Sequence, residues 1–196
     1  MISHEHRFLF LHMPKTAGSS VVSSLSKYPH CKKFKSGHPD LDNYFRNFGN
    51  NVRDYFIFTI ARNPFSRAVS AFKYLQKGGS NGSMDKKSRD EFGMEDLDFK
   101  QFVLKYFHKK TPLHFRPQVA FIGKHFNCVD FIGKLENLQE DFEIICDKIG
   151  IPRRQVPHIN KTKHKHYTEY YDDETRSIVA KKYAKDIAYF NYKFGE

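Results

Sequence analysis

Three observations predict an α/β fold with a central parallel sheet and helices on its faces. Two apolar runs rich in β-forming residues, Phe8 to Leu11 and Tyr55 to Ile60, each lead through a polar turn into a helical pattern. A third run, Val129 to Ile132, leads into a helix ending near Ile149. Strands that alternate with helices are joined by crossovers, and crossovers make parallel sheets. With 196 residues the chain is long enough for one sizeable core, so 1–196 reads as a single domain.

The elements follow in order. Pro14 ends the first run, and a helix starts near Val21-Val22. After the second run, Pro64 suits the first turn of a helix that continues to about Gln76. Residues 77–93 are polar and glycine-rich and read as a mobile insertion. Leu97 to Phe107 is an amphipathic helix whose stripe is Phe99, Phe102, Val103, Tyr106 and Phe107. Asn137 with Glu140 resembles a capping box for the helix to Ile149, which Gly150 and Pro152 terminate. Asp172 or Asp173 caps a last helix with the stripe Val179, Tyr183, Ile187 and Phe190. Residues 157–168 read as a connecting loop.

The turn after the first strand carries the chemistry. Lys15-Thr16-Ala17-Gly18-Ser19-Ser20 joins a strand to a helix N-terminus through small residues, the arrangement that aims backbone N–H groups at an anion. Lys15 adds a positive charge, and Thr16, Ser19 and Ser20 add hydroxyl donors. A Ser-rich N-cap is the plain alternative. In a Walker A loop the Lys follows a Gly, whereas here Lys15 precedes Gly18, so a standard P-loop NTPase is excluded. At the second strand end, Arg62 offers a fork of donors, and Ser70 lies eight residues on, about two helical turns.

The Lys15–Ser20 turn, followed by Arg62-Asn63-Pro64 with Ser70, resembles the carbohydrate sulfotransferases that use 3′-phosphoadenosine-5′-phosphosulfate (PAPS). The nearest branch is the uronosyl 2-O-sulfotransferases and their bacterial relatives. The resemblance extends to Gly37-His38, Asp130-Phe131-Ile132-Gly133, Glu136-Asn137-Leu138, Asn160-Lys161-Thr162 and Asp186 to Tyr192. It implies a P-loop-NTPase-like three-layer α/β/α architecture. It implies that Lys15, Thr16, Ala17, Gly18, Ser19 and Ser20 hold the 5′-phosphosulfate, Arg62 and Ser70 the 3′-phosphate, and that Lys161 and Thr162 lie near the nucleotide.

Sulfuryl transfer builds negative charge on the leaving phosphate, where Lys15 supplies a cation, and needs a base for the acceptor hydroxyl. The resemblance points to His38 as that base. The branch reads His-Gly-His where this chain reads Ser36-Gly37-His38, so the first histidine is missing. Asp40 and Asp42 are the alternative bases, and His12 packs beside the turn or orients Lys15. Arg67 reads as solvated. Arg116 and Gln118, with Lys109 and Lys110, are candidates to touch the acceptor, a basic helix-terminal cluster being the alternative.

The chain carries 33 Lys plus Arg against 22 Asp plus Glu, a balance that favours anionic partners: a nucleotide, an acidic saccharide or nucleic acid. Nucleic-acid binding ranks last because the aromatic residues follow core periodicity. A nucleotide or small-molecule kinase with a variant phosphate loop is the other enzyme reading, and it wants an acidic Mg²⁺ residue at a strand end where Arg62 stands. The expected co-substrate is PAPS, with no metal. Cys31, Cys128 and Cys146 form no CxxC pair and read as reduced thiols. Without an apolar run of membrane-spanning length the expected setting is cytoplasmic, a trimmed lumenal catalytic domain being the alternative.

Overall fold

The computed structural model describes residues 1–33, 37–80, 82–109, 111–157 and 165–196. They group into two compact units, Met1–Arg62 with Gln118–Lys161, and Asn63–Pro117 with Thr162–Glu196.

The first unit holds the sheet. Its strands are β1 (Ile2–Ser3), β2 (Phe8–Leu11), β3 (Cys31–Lys32), β4 (Phe56–Ala61) and β5 (Phe131–Lys134), in the order β3-β1-β2-β4-β5. The centre is parallel, as predicted: Phe8 to Leu11 run in register with Phe56 to Thr59, and Phe58 to Ala61 with Phe131 to Lys134. The two-residue strands β1 and β3 extend it antiparallel. Helix α1 (Gly18–Leu25) follows β2, and helix α2 (Leu41–Phe48) precedes β4.

Side chains alternate across the sheet. Phe8, Phe10, Phe58 and Ile60 share one face with Val21 and Leu25 of α1, and Leu9, Leu11 and Ile57 are fully buried on the opposite face. Both faces are therefore covered, as parallel sheets require.

The second unit is helical and aromatic-rich. Helix α3 (Pro64–Gln76) has Pro64 at its start, and Asn63 caps it by accepting from the Phe65 N–H at 3.1 Å. Residues 83–91, expected within a glycine-rich loop, form helix α4 (Ser83–Glu91), which buries none of its residues. Asp85 anchors its first turn, accepting from the Tyr74 hydroxyl and from the N–H and hydroxyl of Ser80, each at 2.9 Å. Helix α5 (Phe99–Tyr106) starts with a reciprocal box between Asp98 and Gln101. In the first unit a short helix α6 (Val119–Ile122) follows Gln118. Helix α7 (Leu138–Ile149) follows β5 and packs Phe142, Ile145, Cys146 and Ile149 beneath the Phe8 face. Its expected Asn137–Glu140 box does not form: a 3-10 turn over Leu135–Asn137 leads in, and no Asn137 side-chain cap bond is made.

The single last helix expected is two, α8 (Asp173–Lys182) and α9 (Ala184–Phe190), broken at Tyr183. Asp172 caps α8 through the Thr175 N–H at 2.8 Å. Lys100 bonds the same carboxylate and, with Thr175, holds it below the usual carboxylate range.

Arg67 is not solvated. It is fully buried on α3, donating to the carbonyls of His114 at 3.0 Å and Arg116 at 2.7 Å, with its guanidinium over the Tyr183 ring. Arg67→Met removes the guanidinium's bonds to two half-buried carbonyls from a fully buried position and should cost about 3 kcal/mol in denaturant unfolding. Arg67→Lys should recover little of this, because one ammonium cannot reproduce the fork. A loss below about 1 kcal/mol in Arg67→Met would remove the guanidinium from the core's polar scaffold.

Candidate active site

The site is built on the turn between β2 and α1. Lys15 (φ 66°) and Ala17 (φ 60°) both adopt left-handed backbone, a costly geometry for residues with a Cβ. Left-handed residues set between ordinary ones turn neighbouring N–H groups to one side, which makes a concavity for an anion. Helix α1 opens directly on it, without a side-chain cap bond and without an acidic residue in its first turn. The positive end of its dipole therefore faces the turn. Thr16 is fully buried, and its hydroxyl donates to the Met13 carbonyl at 3.1 Å. Thr16 thus shapes the turn with its side chain. Ser20 is buried and Ser19 exposed.

Gly18 is required by a close approach. A Cβ there would lie 1.8 Å from the His12 ring. That ring stacks on Phe10 at 5.8 Å and meets His38 edge-on at 4.5 Å. Burial, then the neighbouring His38 and the chain's ammonium, push the His12 imidazole down to about 3. In the unfolded chain it takes a proton near its ordinary value of 6.5. The sign follows: unfolding takes up a proton between pH 6.5 and about 3, so stability is full above 6.5 and falls as pH drops through that window. His12→Gln should flatten the slope of unfolding free energy against pH between those limits. An unchanged slope would mean that His12 is protonated in the native protein.

His38 is fixed by its neighbour. Its Nδ1 lies 3.0 Å from the His12 carbonyl oxygen, which only accepts. Nδ1 therefore carries the hydrogen, and in the neutral ring Nε2 carries the lone pair. Both alternative bases have structural tasks. Asp40 caps α2, accepting from the Asn43 N–H at 3.1 Å and the Asn43 side chain at 2.6 Å. Asp42 accepts from His125 Nε2 at 2.7 Å, and this bond holds its carboxyl below the usual range. His125, unremarked in the sequence, is buried, with Arg53 3.4 Å from its Nδ1.

Arg62 stands one residue past β4, and its guanidinium donates to the Lys15 carbonyl at 3.3 Å, so the two strand ends meet at one place. Gln118, expected at the acceptor, is instead fully buried: its amide bonds both the N–H and the carbonyl of Arg62, at 3.0 and 2.9 Å. Ser70 lies buried on α3 in the other unit. Arg116, also there, lends its carbonyl to Arg67, and Lys109 is exposed. Ser36, Lys110, Lys161 and Thr162 lie outside the described residues. Beside the turn is a cavity of about 420 Å³ lined by His12, Ser19, Ser23, Lys33, Pro39 and Tyr44, among others.

Residues 1–193 match the model of the sulfotransferase family. The chain belongs to that family. Sulfuryl transfer, rather than the kinase reading, is therefore its chemistry. Carbohydrate sulfotransferase 14 of Danio rerio is 25% identical, in a match covering 78% of this chain and 48% of the zebrafish protein, about half its length. An uncharacterized protein of Archaeoglobus fulgidus is 29% identical over 106 residues, 54% of this chain and 77% of the relative. The crystal structure of a sulfotransferase from Alicyclobacillus acidocaldarius aligns over 96% of both chains with 16% identity and a TM-score of 0.44. Among the described residues of this sulfotransferase no helix is long and apolar enough to cross a membrane.

Proposed function

We propose that this sulfotransferase moves a sulfuryl group from PAPS to a hydroxyl of a carbohydrate, an acidic saccharide included. The observation that carries this reading is the left-handed Lys15 and Ala17 turn at the uncapped start of α1, with the Arg62 guanidinium tied to the Lys15 carbonyl. A phosphosulfate fits the donor set of the turn itself: backbone N–H groups, a helix dipole and the Lys15 ammonium. The turn of Lys15, Thr16, Ala17, Gly18, Ser19 and Ser20 takes the 5′ end, with Thr16 acting through its backbone. Arg62 and Ser70 take the 3′-phosphate, and Lys161 and Thr162 approach the nucleotide; these roles follow the sequence resemblance.

PAPS supplies the sulfuryl group, whose bond to the 5′-phosphate breaks as the bond to the acceptor oxygen forms. Lys15 holds its charge where the leaving phosphate gains negative charge. His38 accepts the acceptor's hydroxyl proton at Nε2, the position its bond to the His12 carbonyl leaves basic. The cavity beside His12 has room for a sugar residue, and Lys33 on its wall suits an acceptor bearing a carboxylate or sulfate. The Danio rerio relative, named a carbohydrate sulfotransferase, supports the acceptor class.

The test is transfer of radiolabelled sulfate from PAPS to neutral and acidic polysaccharides and to phenols. Label on a saccharide hydroxyl is expected, and label on phenols alone would overturn the acceptor class.

A further inference from the structure

Gln118 is a fully buried amide with two hydrogen bonds to the backbone of a single residue, Arg62. The pairing copies, with a side chain, what one strand offers the next in a ladder. It begins where the ladder stops: Ala61 is the last β4 residue in register with β5, and Arg62 follows it. From this fixed peptide the Arg62 guanidinium reaches the Lys15 carbonyl in the left-handed turn. An apolar side chain of the same length would remove both of these partners from the Arg62 peptide, so the amide serves that peptide's hydrogen bonding as well as filling the space. What the amide adds is a defined direction for Arg62.

We propose that Gln118 is a positioning residue that locks the Arg62 backbone and so aims its guanidinium at the 3′-phosphate of the nucleotide, without touching the nucleotide. This rests on the assignment of Arg62 above. A planar fork binds phosphate through two bonds only when its base is held still, and displacement by about 1 Å forfeits much of the gain. Residue 118 therefore governs selectivity for a 3′-phosphorylated nucleotide from a distance.

The test is calorimetric titration of the full chain with 3′-phosphoadenosine-5′-phosphate and with AMP, which differ only in the 3′-phosphate. The ratio of the two affinities is unmoved by a loss of folded fraction, because both fall together. The wild type should prefer the bisphosphate, and Arg62→Ala should erase most of that preference. Gln118→Met should lower bisphosphate affinity about 10-fold, the worth of one or two hydrogen bonds, and leave AMP affinity within about twofold. Gln118→Glu keeps the acceptor for the Arg62 N–H but sets a second oxygen against the Arg62 carbonyl, and should act alike. It carries the test if the Met variant does not fold. If Arg62→Ala erases the preference while both Gln118 variants keep it, or lose both affinities equally, Gln118 has no positioning role and the Arg62 assignment stands. If Arg62→Ala leaves the preference intact, both fall.

Discussion

Lys15→Ala should slow sulfuryl transfer by roughly 10²-fold or more while weakening nucleotide binding far less. The asymmetry comes from where charge develops. With PAPS bound as proposed, the turn's N–H groups, the α1 dipole and Arg62 would share the existing negative charge of the donor in the ground state. As the bond to the 5′-phosphate breaks, further negative charge gathers on the leaving oxygens, and a cation held there gains most at that moment. Lys15 is held by its surroundings: its left-handed backbone is fixed, and its carbonyl is bonded by Arg62 at 3.3 Å. Alanine at the same φ meets the same backbone cost, so the variant reports the lost ammonium rather than a reshaped turn. Single-turnover rates give the transfer step, and titration with 3′-phosphoadenosine-5′-phosphate gives binding. Turnover near wild type, or equal losses in rate and binding, would remove Lys15 from the transition state.

The parts of this site legible in the sequence were those with a local pattern. Phe8 to Leu11, the small-residue turn and the start of α1 are contiguous, as are Tyr55 to Ile60, Arg62 and the Pro64 helix start. Apolar runs and turn residues therefore placed the parallel centre of the sheet. The flanking strands β1 and β3 are two residues each, too short for any period. Gln118 bonds a backbone 56 positions away, and Arg67 bonds carbonyls 47 and 49 positions away. No spacing rule announces such pairs, so a buried amide was read as an acceptor contact and a buried guanidinium as solvated. Asp40 did carry a local signal. It follows Pro39 and precedes the polar-apolar pattern of α2, the place of an N-cap. That signal competes with reading it as a base. Asp42 carried none, since His125 lies 83 positions on.

His38→Ala should keep binding of 3′-phosphoadenosine-5′-phosphate near normal and lose transfer by about 10²- to 10⁴-fold. The reason is geometric first. The His12 carbonyl, 3.0 Å from Nδ1, sets the hydrogen on that nitrogen and the basic lone pair on Nε2. His12 itself stays neutral, so the edge-on ring beside His38 places no second positive charge against it when it takes the proton. The wild-type rate should fall on the acid side, because an imidazole that already holds a proton cannot take the acceptor's. His38→Ala should lose that acid limb, and added imidazole should restore part of the rate. Asp40→Asn keeps a good helix cap, and Asp42→Asn keeps an oxygen for the His125 N–H, so both should retain most activity. Were His38→Ala to stay active while either asparagine variant lost transfer with its fold intact, the base would be that carboxylate. The His12–His38 pair would then serve only to brace the turn between β2 and α1 through the close approach of His12 to Gly18.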